Sequence, residues 1–195
     1  MALLKEEKNK IEMVITATES SIDFGKSLST YVHQHLGLNR NCRLFELKQA
    51  CYSGMAAFQM AINHILSQTS IDGKVLVIAT DIARFMVEDA GEALSEDWSF
   101  AEPSSGAGAM AVLVSQHPKI FQVDAGANGF YGYQVMDTCR PTPDGEAGDS
   151  DLSLLSYLDC CENAFREYIK RVEGADYRNT FNLLSFHTPF GGMVK

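Results

Sequence analysis

A cysteine stands where a predicted strand gives way to a predicted helix. Cys51 lies in the run Cys42-Arg-Leu-Phe-Glu-Leu-Lys-Gln-Ala-Cys51-Tyr-Ser-Gly-Met-Ala-Ala, and the residues around it are small: Ala50, Ser53, Gly54, Ala56 and Ala57. Small side chains allow a substrate to approach the backbone closely. A helix N-terminus carries partial positive charge, which stabilises a thiolate. We therefore interpret Cys51 as a candidate nucleophile, while the alternative is a small buried hydrophobic residue.

Other reactive side chains also fall at the ends of predicted strands: Glu19, Asp81 and His187. Ligands of parallel α/β sheets bind beyond the carboxyl ends of the strands. Each residue also has a structural interpretation. Glu19 is then a solvated charge, Asp81 a helix cap and His187 a turn residue bonded to backbone. Their joint placement beside Cys51 is what favours a functional site.

The elements that must position these residues alternate between strand and helix. Apolar runs predict strands at 11–18, 43–48, 74–80, 110–115, 120–124 and 181–186. Helical spacing predicts a helix that starts at Ser20 or Ser21 and ends at Gly37, with Phe24 on its apolar face. It also predicts a helix over 52–68 and another that is capped within 149–151, whereas 126–150 is expected to be irregular. This alternation indicates an α/β class with a largely parallel sheet.

Composition excludes several classes of function. The 195 residues are 46% hydrophobic and 21% charged, which is typical of a soluble globular domain. The net charge of -9 disfavours nucleic acid and an anionic membrane as partners. The charged start and the lack of a long apolar run predict no signal peptide and no membrane span.

The cysteine pattern predicts a reduced protein without a metal site. There are five cysteines, an odd number, and no Cys-x-x-Cys pair or histidine cluster accompanies them. A disulfide framework and a zinc site are therefore not expected. We predict a cytoplasmic location on this basis.

Six segments, in order and spanning almost the whole chain, resemble the hydroxymethylglutaryl-CoA synthase family, which has the thiolase fold. They are Ala17-Thr-Glu19-Ser-Ser-Ile-Asp23, Glu46-Leu-Lys-Gln-Ala-Cys51-Tyr-Ser-Gly54, Val77-Ile-Ala-Thr-Asp81-Ile-Ala-Arg84, Gly106-Ala-Gly-Ala-Met-Ala-Val112, Asp137-Thr-Cys-Arg-Pro141 and Phe186-His187-Thr-Pro-Phe190. Any one of these motifs alone is weak evidence, whereas together they are highly specific.

The resemblance implies a role for each matching residue. Cys51 is implied to be the acyl-accepting nucleophile, Glu19 the general acid/base and His187 the partner of the acceptor carbonyl. The implied supporting residues are Asp23, Asp81, Asp137 and Tyr52, and the implied substrate-binding residues are Gly54, Pro189 and Phe190. The substrates are implied to be acyl thioesters on coenzyme A or phosphopantetheine, with no further cofactor and no metal.

The resemblance also implies a fold and a domain plan. We expect a thiolase-like layered αβα fold with a mostly parallel mixed sheet, incomplete at both ends. Residues 1–195 then form one incomplete domain, in which 1–138 are most of the first thiolase-like half. Residues 139–195 are a connecting helix and the start of the second half. Homodimerisation of the full-length protein is expected from the family.

One departure from the family's pattern indicates which branch of the family this chain resembles. Members that act on free coenzyme A commonly have a lysine where Gly192 stands, suited to the nucleotide's phosphates. Together with Asp137-Thr-Cys-Arg-Pro141 and Gly148-Asp-Ser-Asp-Leu-Ser153, this resembles the polyketide branch, whose substrates are tethered to acyl carrier proteins. Docking of an acidic carrier protein needs a local basic patch. Candidates are Lys26, Arg40, Arg43 and Lys48, unless these are scattered surface charges.

Four functions follow from these observations. The first is a β-branching synthase that condenses a Cys-bound acetyl group with a carrier-bound β-ketoacyl thioester. The second is a primary-metabolic hydroxymethylglutaryl-CoA synthase that uses acetyl-CoA and acetoacetyl-CoA. The third is a non-catalytic partner protein with a thiolase-like fold. A ketoacyl synthase fits less well, because a glutamate at position 19 indicates deprotonation of acetyl rather than decarboxylation.

Overall fold

The fold is described from a computed structural model of residues 7–67, 69–82, 106–142 and 145–189. Contacts between residues divide these into two compact units. The first contains the described residues up to 82 together with 106–122, and the second contains those from 123 onward. Each unit is described separately, and the predicted boundary at 138 remains a prediction.

The first unit is built on a four-stranded mixed sheet. The strands are β1 (Ile11–Ala17), β2 (Arg43–Leu47), β3 (Lys74–Ile82) and β4 (Ala107–Val114). Their order is β2-β1-β3-β4. β1 pairs in parallel with β2 and β3, and β3 pairs antiparallel with β4. The predicted α/β class with a mostly parallel mixed sheet is confirmed.

Two helices, α1 (Leu28–Leu36) and α2 (Ser53–Leu66), cover this sheet. Side chains along β1 alternate between two apolar clusters because successive residues of a strand point to opposite faces. Met13 and Ile15 belong to the cluster that contains Ala57 and Ala61 of α2. Val14 belongs to the cluster that Val32 and Leu36 of α1 pack against. The first unit is therefore layered, with one helix on each face.

The helix after β1 begins later than predicted. Its first residue is Leu28 rather than a residue near Ser20, and Phe24 lies outside it with 92% of its surface exposed. Residues 18–27 form an irregular loop because their backbone N–H groups bond to carboxylates rather than to helical carbonyls. The predicted end is confirmed, since Gly37 adopts the left-handed conformation with φ 56°.

The strand predicted at 120–124 is wrong. No described strand pairs with this segment, and Ile120 is 87% exposed. Pro118 lacks an N–H group for continued pairing, and Phe121 instead packs its ring on Phe58 of α2 with centroids 6.1 Å apart. The fourth strand itself is confirmed, although it begins at Ala107 rather than at Met110.

The second unit contains a hairpin and a long helix. β5 (Thr138–Thr142) pairs antiparallel with β6 (Gly145–Gly148), so the segment predicted to be irregular contains a two-stranded sheet. α3 (Ser150–Ile169) begins as predicted, because the Asp149 side chain accepts a hydrogen bond from the Leu152 N–H at 2.9 Å.

The strand predicted at 181–186 is also wrong. The segment is irregular, Leu183 is 84% exposed, and no strand of the described residues pairs with it. Its aromatic side chains pack on α3 instead, with the ring centroids of Phe181 and Tyr168 5.6 Å apart. Its apolar character therefore reflects packing on a helix. Among the described residues, none of the helices is long and apolar enough to span a membrane.

Candidate active site

Three of the predicted site residues lie at one edge of the first unit. Glu19 is two residues beyond β1, Cys51 is four residues beyond β2, and Asp81 is the penultimate residue of β3. Because these three strands are parallel, their carboxyl ends meet at the same edge of the sheet. Glu19, Cys51 and Asp81 are thereby brought together, as predicted.

A tight turn between β2 and α2 presents Cys51. The Tyr52 N–H bonds to the Gln49 carbonyl at 3.0 Å, and the Ser53 N–H bonds to the Ala50 carbonyl at 3.1 Å. Ala50 has φ 44°, a left-handed conformation that costs an L-residue about 1–2 kcal/mol. The turn leaves Cys51 exposed just before the first residue of α2. Such strain concentrates at functional sites.

The pKa of the Cys51 thiol is raised to about 11, so the expected thiolate is not the resting form. Although the residue is exposed in this chain, the largest cause is burial, since protein atoms displace water from around the sulfur. The charge of Glu19, its hydrogen bond with the thiol and the charge of Asp81 raise the pKa further. A hydrogen bond from the backbone of Cys51 lowers the pKa, but burial and the negative charges outweigh it.

The contact between Glu19 and Cys51 has a direct chemical meaning. The Glu19 side chain shares a hydrogen bond with the Cys51 thiol. A carboxylate in that position accepts the thiol proton as the sulfur attacks an acyl group. The same carboxylate then lies beside any acyl group attached to the sulfur, within reach of its α-protons. The candidate nucleophile and the candidate base are thus adjacent.

Asp81 holds the loop that carries Glu19. Its Oδ1 atom accepts hydrogen bonds from the Thr18 hydroxyl at 2.9 Å and the Glu19 N–H at 2.7 Å. It also accepts from the Ser20 N–H at 3.0 Å and the Ser20 hydroxyl at 2.9 Å. The Ser20 hydroxyl in turn accepts from the Ile82 N–H at 3.0 Å. This network fixes the backbone of Glu19 relative to β3, consistent with the predicted supporting role.

Asp23 secures the middle of the same loop. Its Oδ1 accepts from the N–H groups of Gly25 and Lys26, both at 2.8 Å, and its Oδ2 accepts from the Tyr31 hydroxyl at 3.0 Å. The backbone bonds from Lys26 and Gly25, followed by the bond from Tyr31, lower the pKa of Asp23. Asp23 therefore supports the loop and remains ionised.

Glu46 is a site-supporting residue that the sequence analysis missed. Its Oε2 accepts from the Leu28 N–H at 2.9 Å and from the Thr16 hydroxyl at 3.3 Å. It thereby caps α1, whose N-cap residue Ser27 makes no capping side-chain bond. A charged residue in a half-buried strand is the signal that could have identified it.

Tyr52 and Gly54 lie at the start of α2, next to Cys51 in sequence. The Tyr52 ring is 54% exposed and its hydroxyl donates to Gln59 at 3.3 Å. Gly54 lies in α2, where an added Cβ would be 3.5 Å from the Cβ of Ala79. That distance is ordinary van der Waals contact, so packing against Ala79 does not by itself require a glycine, and the predicted substrate contact of Gly54 remains a prediction.

His187, Asp137 and Pro189 belong to the second unit. The backbone carbonyl of His187 accepts a hydrogen bond from the Tyr157 hydroxyl at 2.9 Å. The carbonyl of Asp137 accepts from the Asp149 N–H at 2.8 Å, at the start of α3. Pro189 is exposed. The meeting of His187 and Asp137 with Cys51 remains a prediction, and Phe190, Gly192 and Arg84 lie outside the described residues.

The four basic residues that are candidates for a docking patch fall into two groups. Lys26 lies in the loop before α1 and Lys48 directly follows β2, so both are near the edge that carries Cys51. Arg40 and Arg43 lie just before and at the start of β2, at the opposite edge of the sheet. The four candidates therefore do not form a single patch, and a docking role for any of them remains a prediction. In the described ranges, no cluster of histidine, cysteine and carboxylate side chains is arranged to hold a metal ion.

Comparison with known proteins agrees with this architecture. The family model for the N-terminal part of hydroxymethylglutaryl-coenzyme A synthase matches residues 1–119. The polyketide biosynthesis 3-hydroxy-3-methylglutaryl-ACP synthase PksG of Bacillus subtilis is 71% identical over 194 residues, which cover 100% of this chain and 46% of the relative. The hydroxymethylglutaryl-CoA synthase of Enterococcus faecalis is 36% identical over 99% of this chain and 47% of its own length.

A solved structure extends this similarity to three dimensions. The HMG synthase of the curacin biosynthetic pathway, in complex with an acetyl donor-ACP, matches with a TM-score of 0.89 and 69% identity. The match covers 97% of this chain and 44% of that one, so the chain spans about half the length of the relatives it matches. Sequence and fold together place the chain in the hydroxymethylglutaryl-CoA synthase family, with its thiolase-like fold.

Proposed function

We propose that the protein is an acyltransferase that condenses a Cys51-bound acetyl group with the β-carbonyl of a carrier-bound β-ketoacyl thioester in polyketide β-branching. The observation that carries this proposal is the hydrogen bond between the Glu19 carboxylate and the Cys51 thiol at the carboxyl edge of the sheet. The similarity to an HMG-ACP synthase of polyketide biosynthesis supports the choice of reaction.

The first step loads Cys51. The sulfur attacks the carbonyl carbon of an acetyl thioester while Glu19 accepts the thiol proton. A new C–S bond forms, the bond to the donor's sulfur breaks, and Glu19 returns the proton to the departing thiol. Because one thioester replaces another, the acetyl group stays activated. A thiol with a raised pKa needs this adjacent base, which is why the pair acts together.

The second step makes the carbon–carbon bond. Glu19 removes a proton from the acetyl methyl group, and the resulting carbanion attacks the β-carbonyl of the acceptor. We assign to His187 the hydrogen bond to the acceptor oxygen that gains charge. The protonated Glu19 returns this proton to the new alkoxide, and water then hydrolyses the thioester bond to Cys51, which releases the product on its carrier and restores the thiol. The backbone N–H of Cys51, just before α2, is our candidate donor to the enolate oxygen.

The proposed partners follow from the same reasoning. Gly192, where family members that use free coenzyme A commonly carry a lysine, favours carrier-bound substrates. Structures of the curacin pathway relative include its donor-ACP, which supports a carrier protein as partner. Lys26 and Lys48 are positive charges near the edge that carries Cys51, suited to an acidic carrier surface. We further propose a cytoplasmic homodimer that needs no cofactor beyond its thioester substrates.

The test uses a full-length protein that contains this chain. It is incubated with acetylated carrier protein or with acetyl-CoA, and its intact mass is measured. We expect an acetyl adduct of wild type that is absent from Cys51→Ala, followed by condensation with a β-ketoacyl carrier protein. Equally fast condensation of acetyl-CoA with acetoacetyl-CoA would favour the primary-metabolic synthase instead. No adduct on wild type would favour a non-catalytic partner.

A further inference from the structure

We propose that Tyr157 is a positioning residue for His187, and that its hydroxyl is needed for condensation but not for acetylation of Cys51. The inference deepens the proposed function, because it rests on His187 serving the acceptor carbonyl. Tyr157 lies on α3, eight residues after Asp149, in none of the motifs from which the site was predicted.

Two contacts join Tyr157 to His187. The phenol hydroxyl donates a hydrogen bond to the backbone carbonyl of His187 at 2.9 Å. The two rings also pack, with centroids 6.4 Å apart and planes inclined by 48°. One contact holds the main chain, and the other limits the space in which the imidazole can turn.

The surroundings of Tyr157 keep its hydroxyl in the donating form. Burial raises the pKa of Tyr157, and the charge of the nearby Cys161 raises it further. Cys161 lies four residues later on α3, on the same face of the helix as Tyr157. A phenol that stays protonated keeps its bond to the His187 carbonyl across the neutral pH range.

His187 needs such a tether because regular structure does not hold it. The segment before it is irregular, and His187 itself is exposed. Thr188 adds only a local bond, from its hydroxyl to the Phe186 carbonyl at 3.3 Å. A displacement of about 1 Å in a catalytic group can cost up to 100-fold in rate.

The experiment compares Tyr157→Phe with Tyr168→Phe in a full-length protein that contains this chain. Both variants lose one hydroxyl from α3, but the Tyr168 ring packs on Phe165 and Phe181 rather than on His187. Acetylation of Cys51 is followed by intact mass, and condensation is measured in single turnovers from the preloaded acetyl enzyme.

For Tyr157→Phe we expect acetylation at the wild-type rate and condensation slowed about 10- to 100-fold. For Tyr168→Phe we expect both steps at wild-type rates. Condensation by Tyr157→Phe at the wild-type rate would overturn the inference, as would an equal loss in both steps, which indicates a general structural role. Failure of wild type to form the adduct would instead overturn the proposed function, so the two failures are distinguishable.

Discussion

The two units support their reactive residues in different ways. In the first, Glu19 and Cys51 follow paired strands, the carboxylates of Asp81 and Asp23 bind the loop between β1 and α1, and that of Glu46 caps α1. In the second, His187 follows an irregular segment and is held by the Tyr157 hydroxyl and by ring packing. Among the described residues, Glu19 and its loop thus depend on a network of charge-assisted bonds, whereas His187 depends on one neutral hydrogen bond together with ring packing.

This difference predicts how each unit responds to substitution. Several carboxylates share the first loop, so removing one of them weakens a network that the others still hold. The second unit has no comparable redundancy at His187 among the described residues. The bonds that hold the first loop also fix the backbone of Glu19, so substitutions in that network should alter both chemistry and stability. Substitutions near His187 should alter chemistry with little change in stability.

The largest effect is expected for Glu19→Gln. The amide cannot accept a proton from the acetyl methyl, so we expect condensation to fall by about 10²–10⁴-fold. Loss of the carboxylate charge also lowers the pKa of the Cys51 thiol, so iodoacetamide should alkylate Cys51 faster at pH 8. Glu46→Gln is the matched control, because it makes the same change at a carboxylate that binds Leu28 and Thr16. Slower alkylation in Glu19→Gln would contradict the assigned contact.

The pH dependence of alkylation should show the raised pKa directly. With a pKa of about 11 in place of 9.0, the thiolate fraction at pH 8 is lower by about 100-fold. The rate at Cys51 should therefore rise continuously between pH 8 and pH 10. The denatured protein, alkylated under the same conditions and followed by peptide mass, is the control and should level off earlier. A plateau of the native rate below pH 9 would contradict the raised pKa.

A smaller effect is expected for Asp81→Ala. The Thr18–Ser20 segment loses its common acceptor, so condensation should fall about 10-fold and the free energy of unfolding by about 2 kcal/mol. Asp72→Ala is the control, because it removes an exposed carboxylate that pairs with Lys10 at the surface. Chemical denaturation and steady-state rates measure both quantities. An unchanged condensation rate and free energy of unfolding in Asp81→Ala would mean that the Thr18–Ser20 segment keeps its conformation without this carboxylate.

The smallest effect is expected for Asp149→Ala in the second unit. The N-cap bond to the Leu152 N–H is lost, which should lower the free energy of unfolding by about 1 kcal/mol. Condensation should stay near the wild-type rate, because Tyr157 lies two turns inside α3. Asp149→Asn retains a capping acceptor and should lose less stability. A large fall in the condensation rate with only a small fall in the free energy of unfolding would show that the position of His187 depends on the whole of α3.

Sequence alone predicted the structure of those segments whose hydrophobic pattern agrees with the way they pack in the fold. β1 and β3 are apolar on both faces and central in the sheet, and the motifs around Glu19 and Cys51 predicted the edge at which the two residues meet. Asp149 was predicted to lie at the start of α3 because a short acidic segment precedes a periodic apolar pattern.

The errors arise where tertiary partners decide the outcome. The apolar runs at 120–124 and 181–186 have strand-like composition, but aromatic packing on a helix uses the same residues. α1 starts late because Asp81, 61 residues from Ser20 in sequence, binds the preceding loop. The direction of the Cys51 pKa shift could not be predicted from the helix alone, since it depends on charges from two other segments.

The raised pKa of the exposed Cys51 has a consequence for the protein between turnovers. Peroxides oxidise thiolates rather than thiols, and the product, a sulfenic acid, would block the nucleophile. With a pKa of about 11, the resting sulfur is almost entirely protonated at neutral pH. In the proposed mechanism Glu19 withdraws the proton only as an acyl carbon is attacked, so the sulfur becomes strongly nucleophilic only towards its substrate. Local desolvation and the charge of Glu19 thereby limit oxidation of a cysteine that remains exposed in this chain.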